Sequence, residues 1–238
     1  PVIKVFCDRT IPAFTSSKLG NYPHQLIQKL QLPVYIQQLD IHNGDVSYTE
    51  KASQSEKKGT VYFSNITGSI LNLTNIPSYM NANTIMQVKG KALFMGVSRV
   101  ETSWQLPLNT TNGEFSISGK MGELDCSVLN PLIEPLAMAS FSRGKIQTVD
   151  FTMNGNDNHA TGKLDLLYSE LKLETLKADA DSLKKKKMLS FLANLLVKDE
   201  NPHKGKTRQG EIDIDRDTSR SFFNLVWKGI FKAAKRIA

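Results

Sequence analysis

Between Gly144 and Leu176 the chain alternates apolar and polar residues almost without interruption, broken only by Asn154-Gly155-Asn156-Asp157-Asn158. Those five residues tolerate positive φ and favour a tight reversal, so the stretch predicts a hairpin of two strands, residues 144 to 154 and 158 to 176. The second strand would run for roughly twenty residues, well beyond the usual mode of about five or six. Strands of that length call for an elongated, twisted antiparallel sheet.

The same period appears upstream. From Pro33, the pairs Val34 and Ile36, Leu39 and Ile41, and Val46 and Tyr48 fall on alternate positions, with Asn43-Gly44 between the last two. Asn-Gly is a strong short-range hairpin signal and predicts a turn there, while the slip in period between Ile36 and Leu39 predicts a β-bulge at Gln37 or Gln38. Glu50 to Lys58 reads as a polar loop. Strands follow around Val61 and Phe63 and over Gly68 to Leu73, then at 84 to 95, 97 to 106 and 113 to 121. Leu124 to Phe141 loses the alternation and carries Pro131 and Pro135, as a short helix or connector would. Residues 1 to 32 read as an irregular opening segment, within which His24 to Leu32 could form a short helix. The expected fold class is therefore mainly β, with the long-stranded domain over 33–181 and a basic region with two helices and a short strand over 182–238.

Charge separates these regions. Of 30 Lys and Arg residues, 14 lie in residues 184 to 238 against 6 Asp and Glu, so the last quarter is about +8 while the rest of the chain, 16 against 17, is near neutral. Such asymmetry suggests an anionic partner met by the C-terminal region. Ser182 can cap a helix that passes through Lys184 to Lys187 into the stripe Met188, Leu189, Leu192, Leu195 and Leu196. In the last helix, Phe223, Val226, Trp227, Ile230, Phe231 and Ala234 gather on one side at 100° per residue, and Lys228, Lys232, Lys235 and Arg236 gather opposite. Aromatics on one face and only cations on the other describe either an interfacial helix on anionic lipid or a helix closing a β core. Phe223, Trp227, Ile230, Phe231, Lys228, Lys232, Lys235 and Arg236 are the membrane-contact candidates.

Catalytic patterns are not found. The four histidines have no HxxxH or HExxH spacing, and no GxSxG, Walker A or GxGxxG string occurs. Asp213, Asp215 and Asp217 are spaced like a calcium loop, but its sixth position is Thr218 and its twelfth Asn224, so they read as the polar face of a short strand with Ile212 and Ile214 behind. Cys7 and Cys126, far apart and without CxxC or metal-ligand spacing, read as free or buried thiols. No nucleic-acid motif accompanies the basic region. The expectation is a non-enzymatic chain with no cofactor, no metal and no nucleic-acid partner.

Three strings carry a likeness: LPVYIQQLDIHNGDVSYTE, LNPLIEPLAMASFSRGKIQTVDFTMNGNDNHATGKLDLLYSELKLETL and NPHKGKTRQGEIDIDRDTSRSFFNLVWKGI. Together they resemble the C-terminal part of AsmA-like proteins of the Gram-negative envelope. The resemblance implies a sheet curled into an open, apolar-lined groove that shields phospholipid acyl chains in transit between inner and outer membranes. It also implies a periplasmic location, tethered to the inner membrane by an N-terminal helix that this chain, beginning at Pro1, does not contain; a fragment is expected. A sheet with one apolar face must cover it, and two or three helices cannot cover long strands completely. By alternation, Val100, Trp104, Phe115, Ile117, Val149, Phe151, Leu164 and Leu166 are the lipid-groove candidates. Expected partners are acyl chains, an anionic membrane surface and other envelope proteins; the alternative is a scaffold for outer-membrane protein or cell-surface assembly that moves no lipid.

Overall fold

The structure, a computed structural model, describes the chain except residues 9, 12–15, 52–56, 177–197 and 238. The helix expected from Ser182 lies outside the described residues. Ten strands form one large, twisted, open sheet. In chain order they are β1 (Val2–Asp8), β2 (Tyr35–Lys51), β3 (Lys58–Thr74), β4 (Ile85–Phe94), β5 (Ser98–Pro107), β6 (Phe115–Met121), β7 (Leu124–Asp125), β8 (Ala139–Gly155), β9 (His159–Thr175) and β10 (Gln209–Asp215). Among the described residues, four α-helices join them: α1 (Pro23–Gln28), α2 (Pro77–Ala82), α3 (Asn130–Ala137) and α4 (Phe222–Ile237).

Sheet order follows chain order from β1 to β6, then β8, β9 and β10, with β7 pairing β8 in line with β6. Every neighbour is antiparallel except β1, which lies parallel to β2. The predicted hairpin at residues 154–158 is present, with Asn156 Oδ1 accepting from the N–H groups of Asn158 and His159.

The first third of the chain departs from expectation. Val2–Asp8 is an edge strand, not irregular chain. Asn43-Gly44 makes no hairpin: β2 runs straight through it, with Asn43 at φ 50° and the register against β3 shifting on either side of Gly44. The bulge therefore sits here, and Ile36 to Leu39 pairs with Leu73 to Ile70 in unbroken register. Asn65 at φ 53° plays the same part in β3, where the register against β4 shifts between Ser64 and Thr67. The two strands expected over Val61 to Leu73 are thus one bent strand of 17 residues.

Strand alternation assigns one face to apolar side chains, divided by a row of small residues. Gly68 lies opposite Gly90, Gly90 opposite Thr102, and Thr102 opposite Gly119. On one side of this row, Met86, Leu106, Phe115, Ile117, Met153, Leu164 and Ile212 join Phe222 and Leu225 of α4 and Tyr22 in the main core. On the other, Phe94, Met95 and Leu124 pack with Phe63, Val100 and Met121 in a second core. Helix α3 closes that second end. Its Leu132 carbonyl and Leu136 side chain press on Gly59 of β3, and the Asn130 carboxamide exchanges two hydrogen bonds with the Phe141 backbone of β8. Three strands separate β3 from β8, about 19 Å on a flat sheet, so a short helix that touches both requires the sheet to curl.

A buried polar cluster pins the opening segment to the other end. Arg216 pairs with Asp157 at 2.6 Å, lies over the Tyr22 ring at 4.2 Å, and donates to the Lys18 carbonyl. Gln25 of α1 accepts from the Tyr22 N–H and donates to Asp157.

Candidate functional site

The eight groove candidates occupy one face of the sheet, as alternation required, but in different environments. Trp104 and Ile117 are cross-strand neighbours, as are Phe151 and Leu164, and Val149 and Leu166. Phe115, Ile117 and Leu164 are fully packed under Phe222 and Tyr22 rather than facing an open channel. The physical reason is α4: it runs back along β10 and β9 and fills the face above them. Trp104, Val149, Phe151 and Leu166 are only half-buried, together with Val88 and Ile70 on the adjoining strands and Val226 and Ile230 of α4. Val100 stands apart, opposite Ala92 and Met121, in the second core.

Helix α4 approaches closely because its contact face is small. A Cβ on Gly210 would lie 2.5 Å from the Ala233 carbonyl oxygen, and one on Gly229 would lie 2.6 Å from the Met153 methyl. The stripe on the sheet is Phe222, Leu225, Gly229, Ala233 and Ile237, all buried. It is rotated from the aromatic stripe expected to be the helix's single apolar face, so Phe223 and Trp227 remain 60% and 54% exposed. Phe223 reaches Trp104 at a ring separation of 5.8 Å, Trp227 stacks on Phe231 at 6.2 Å, and Lys235 sits 4.8 Å over Phe231. The helix therefore carries one apolar stripe on the sheet and, beside it, a second that is half-buried at Val226, Ile230 and Phe231 and exposed at Phe223 and Trp227.

Its cations divide as well. Lys232 donates to the Asp213 carbonyl and Arg236 to the Glu211 carbonyl, which caps the outer edge of β10 and hinders another strand from pairing there. Lys228 is exposed. The helix carries no acidic residue in its first turn.

The three aspartates tested as a calcium loop do not converge. Asp213 and Asp215 bracket His159 at 3.2 and 2.8 Å, on the polar face of β10 with Ile212 buried behind, while Asp217 accepts from Ser219. On that polar face the residues around the small-residue row line a depression of about 410 Å³, among them Ser69, Lys89, Ser103, Ser118 and the Lys91–Glu101 ion pair. Alternation gave no sign of it, because its lining is drawn from five different strands, β2 to β6. Among the described residues, no helix is long and apolar enough to cross a membrane. No protein-family model, curated protein or solved structure matches the chain.

Proposed function

We propose that this chain is the lipid-handling part of a non-enzymatic, AsmA-like envelope protein, which shields phospholipid acyl chains and docks on an anionic membrane through α4. The supporting observation is the incomplete cover of the apolar face. Val88, Trp104, Val149, Phe151 and Leu166 stay half-buried beside the exposed Phe223 and Trp227 of the same helix. Each acyl methylene moved from water onto such a surface contributes about 0.8 kcal/mol, so a short stretch of chain suffices to hold a lipid without covalent chemistry. On this reading the protein works in the periplasm, tethered to the inner membrane. The filled core at Phe115, Ile117 and Leu164 favours the alternative, an assembly scaffold in the envelope that moves no lipid.

Native mass spectrometry with lipid extraction, on protein purified from a Gram-negative host, separates the two. Lipid handling requires co-purifying phospholipid that is lost in Val88→Asp, a half-buried site beside Trp104, in a variant whose thermal unfolding shows that it remains folded. A folded wild type that carries no lipid supports the scaffold.

A further inference from the structure

One end of the sheet gathers the start of β2, the end of β3, the start of β4, helices α1 and α2 and the first turn of α4. Around it Leu26, Leu30, Leu32, Tyr35, Tyr79 and Phe223 are all substantially exposed, Leu32 by 72%. These are not loose ends. The Asn75 side chain accepts from the Val34 N–H and donates to the carbonyls of Leu30 and Leu32, and Gln28 donates to the Thr74 carbonyl. Tyr35 and Tyr79 stack at 3.9 Å with their rings almost parallel. The linker between α1 and β2 is thus held with its leucines outward, at the cost of leaving them in water.

The charge around this rim is one-sided. Residues 16–39 contain Lys18 and Lys29 and no acid, residues 75–84 contain no charge, and the stretch from Thr218 through the first two turns of α4 contains Arg220 and Lys228 and no acid. The carboxylates at this end lie on the β6 to β10 side and are engaged: Asp157 with Arg216, Asp215 with His159, Asp217 with Arg220, and Glu114 with Asn112. Leucines and tyrosines without acids, flanked by lysines, match the boundary of an anionic bilayer, where aromatic rings sit at headgroup level and cations meet lipid phosphate.

We infer that this rim, from Leu26 through Leu32 to Tyr79 and Phe223, is a membrane-insertion surface, so that the sheet meets the bilayer end-on with its strands pointing away. This deepens the docking reading given above and rests on it. It differs in where the bilayer is touched: the tip of the sheet, with only the start of α4 taking part.

Sedimentation with vesicles of phosphatidylcholine and phosphatidylglycerol, against phosphatidylcholine alone, tests it. Leu30→Ser/Leu32→Ser, with both sites exposed, should lower partitioning into the mixed vesicles by about tenfold or more while leaving thermal unfolding unchanged. If the wild type binds and the double variant binds equally well, the rim is not the contact, and docking through α4 stands. If the wild type ignores both vesicles, the docking reading itself fails. A wild-type dimer that becomes a monomer in the double variant would overturn the proposal by making the rim a contact between copies.

Discussion

His24 is the residue whose chemistry conflicts most with its place. It is buried, packed beside Tyr22 at a ring separation of 6.2 Å, and neither ring nitrogen has a hydrogen-bond partner among the described residues. Burial pushes its pKa down to about 4, with the Asp157 carboxylate pulling weakly the other way. The folded state therefore holds the neutral ring, and the unfolded chain takes up a proton first as pH falls. Its contribution is fully present above about pH 6.5, is lost between there and pH 4, and amounts to about 3 kcal/mol over that range. His24→Leu should remove this part of the acid sensitivity, and at neutral pH should stabilise the protein by about 1–2 kcal/mol, because the buried nitrogens go with it. Urea denaturation of both proteins at several pH values between 4 and 7 measures the difference; parallel pH dependences would mean that another group governs acid unfolding. Tyr22, whose hydroxyl donates to the Asn156 carbonyl, is likewise held protonated, its pKa pushed up to about 12 by burial. Both groups lie in residues that the sequence alone left as an irregular segment, since neither alternation nor a motif marks a pairing between Gln25 and Asp157, 132 positions apart.

Elements were legible where the signal was local. The hairpin of β8 and β9, strands β4 to β6 and β10 follow directly from alternation and turn residues, because adjacent strands in this meander pair with their chain neighbours. Asn43-Gly44 misled for a physical reason: a residue at positive φ serves a two-residue turn and a bulge equally, and only the partner strand decides. Strand β1 could not be read because it pairs in parallel with a strand more than thirty positions away, and Val2-Ile3-Lys4-Val5-Phe6 has no clean period. On α4, the bulk of the aromatics outweighed the small residues in locating the apolar face, whereas close approach to a sheet favours Gly229 and Ala233. Gly210→Ala probes that approach from the sheet side. The new methyl would meet a backbone carbonyl at 2.5 Å, which cannot rotate away, so α4 must lift. A loss of about 1–3 kcal/mol in chemical denaturation is expected, with the Trp104 fluorescence altered through its contact with Phe222. Wild-type stability in this variant would show that the helix is held by its ends alone.

At the scale of the molecule, the two cores and the exposed first edge imply unequal stability across one continuous sheet. Among the described residues, strand β1 has a single neighbour, and Val2, Ile3, Val5 and Phe6 are all exposed, so little apolar burial opposes its release. In the middle, Leu164 and Tyr168 of β9 are buried: Leu164 lies between β8 and β10, and Tyr168 lies between β8 and the backbone of Asn201, which is itself fully buried and also donates to the Leu166 carbonyl. Local opening costs least where buried contacts are fewest. Amides of Val2–Asp8 should therefore exchange with deuterium faster than those of Leu164–Tyr168 by about two orders of magnitude or more, with the second core near Phe94 and Leu124 intermediate. Such a gradient would suit a protein whose apolar face must admit a guest at one place while the helix-covered strands stay closed. Equal protection from β1 to β9 would mean that the small-residue row transmits cooperativity instead of dividing it. The half-buried band at Val88 and Trp104 could then open only with the whole sheet, and on the proposed lipid-handling reading a lipid would have to enter from the rim.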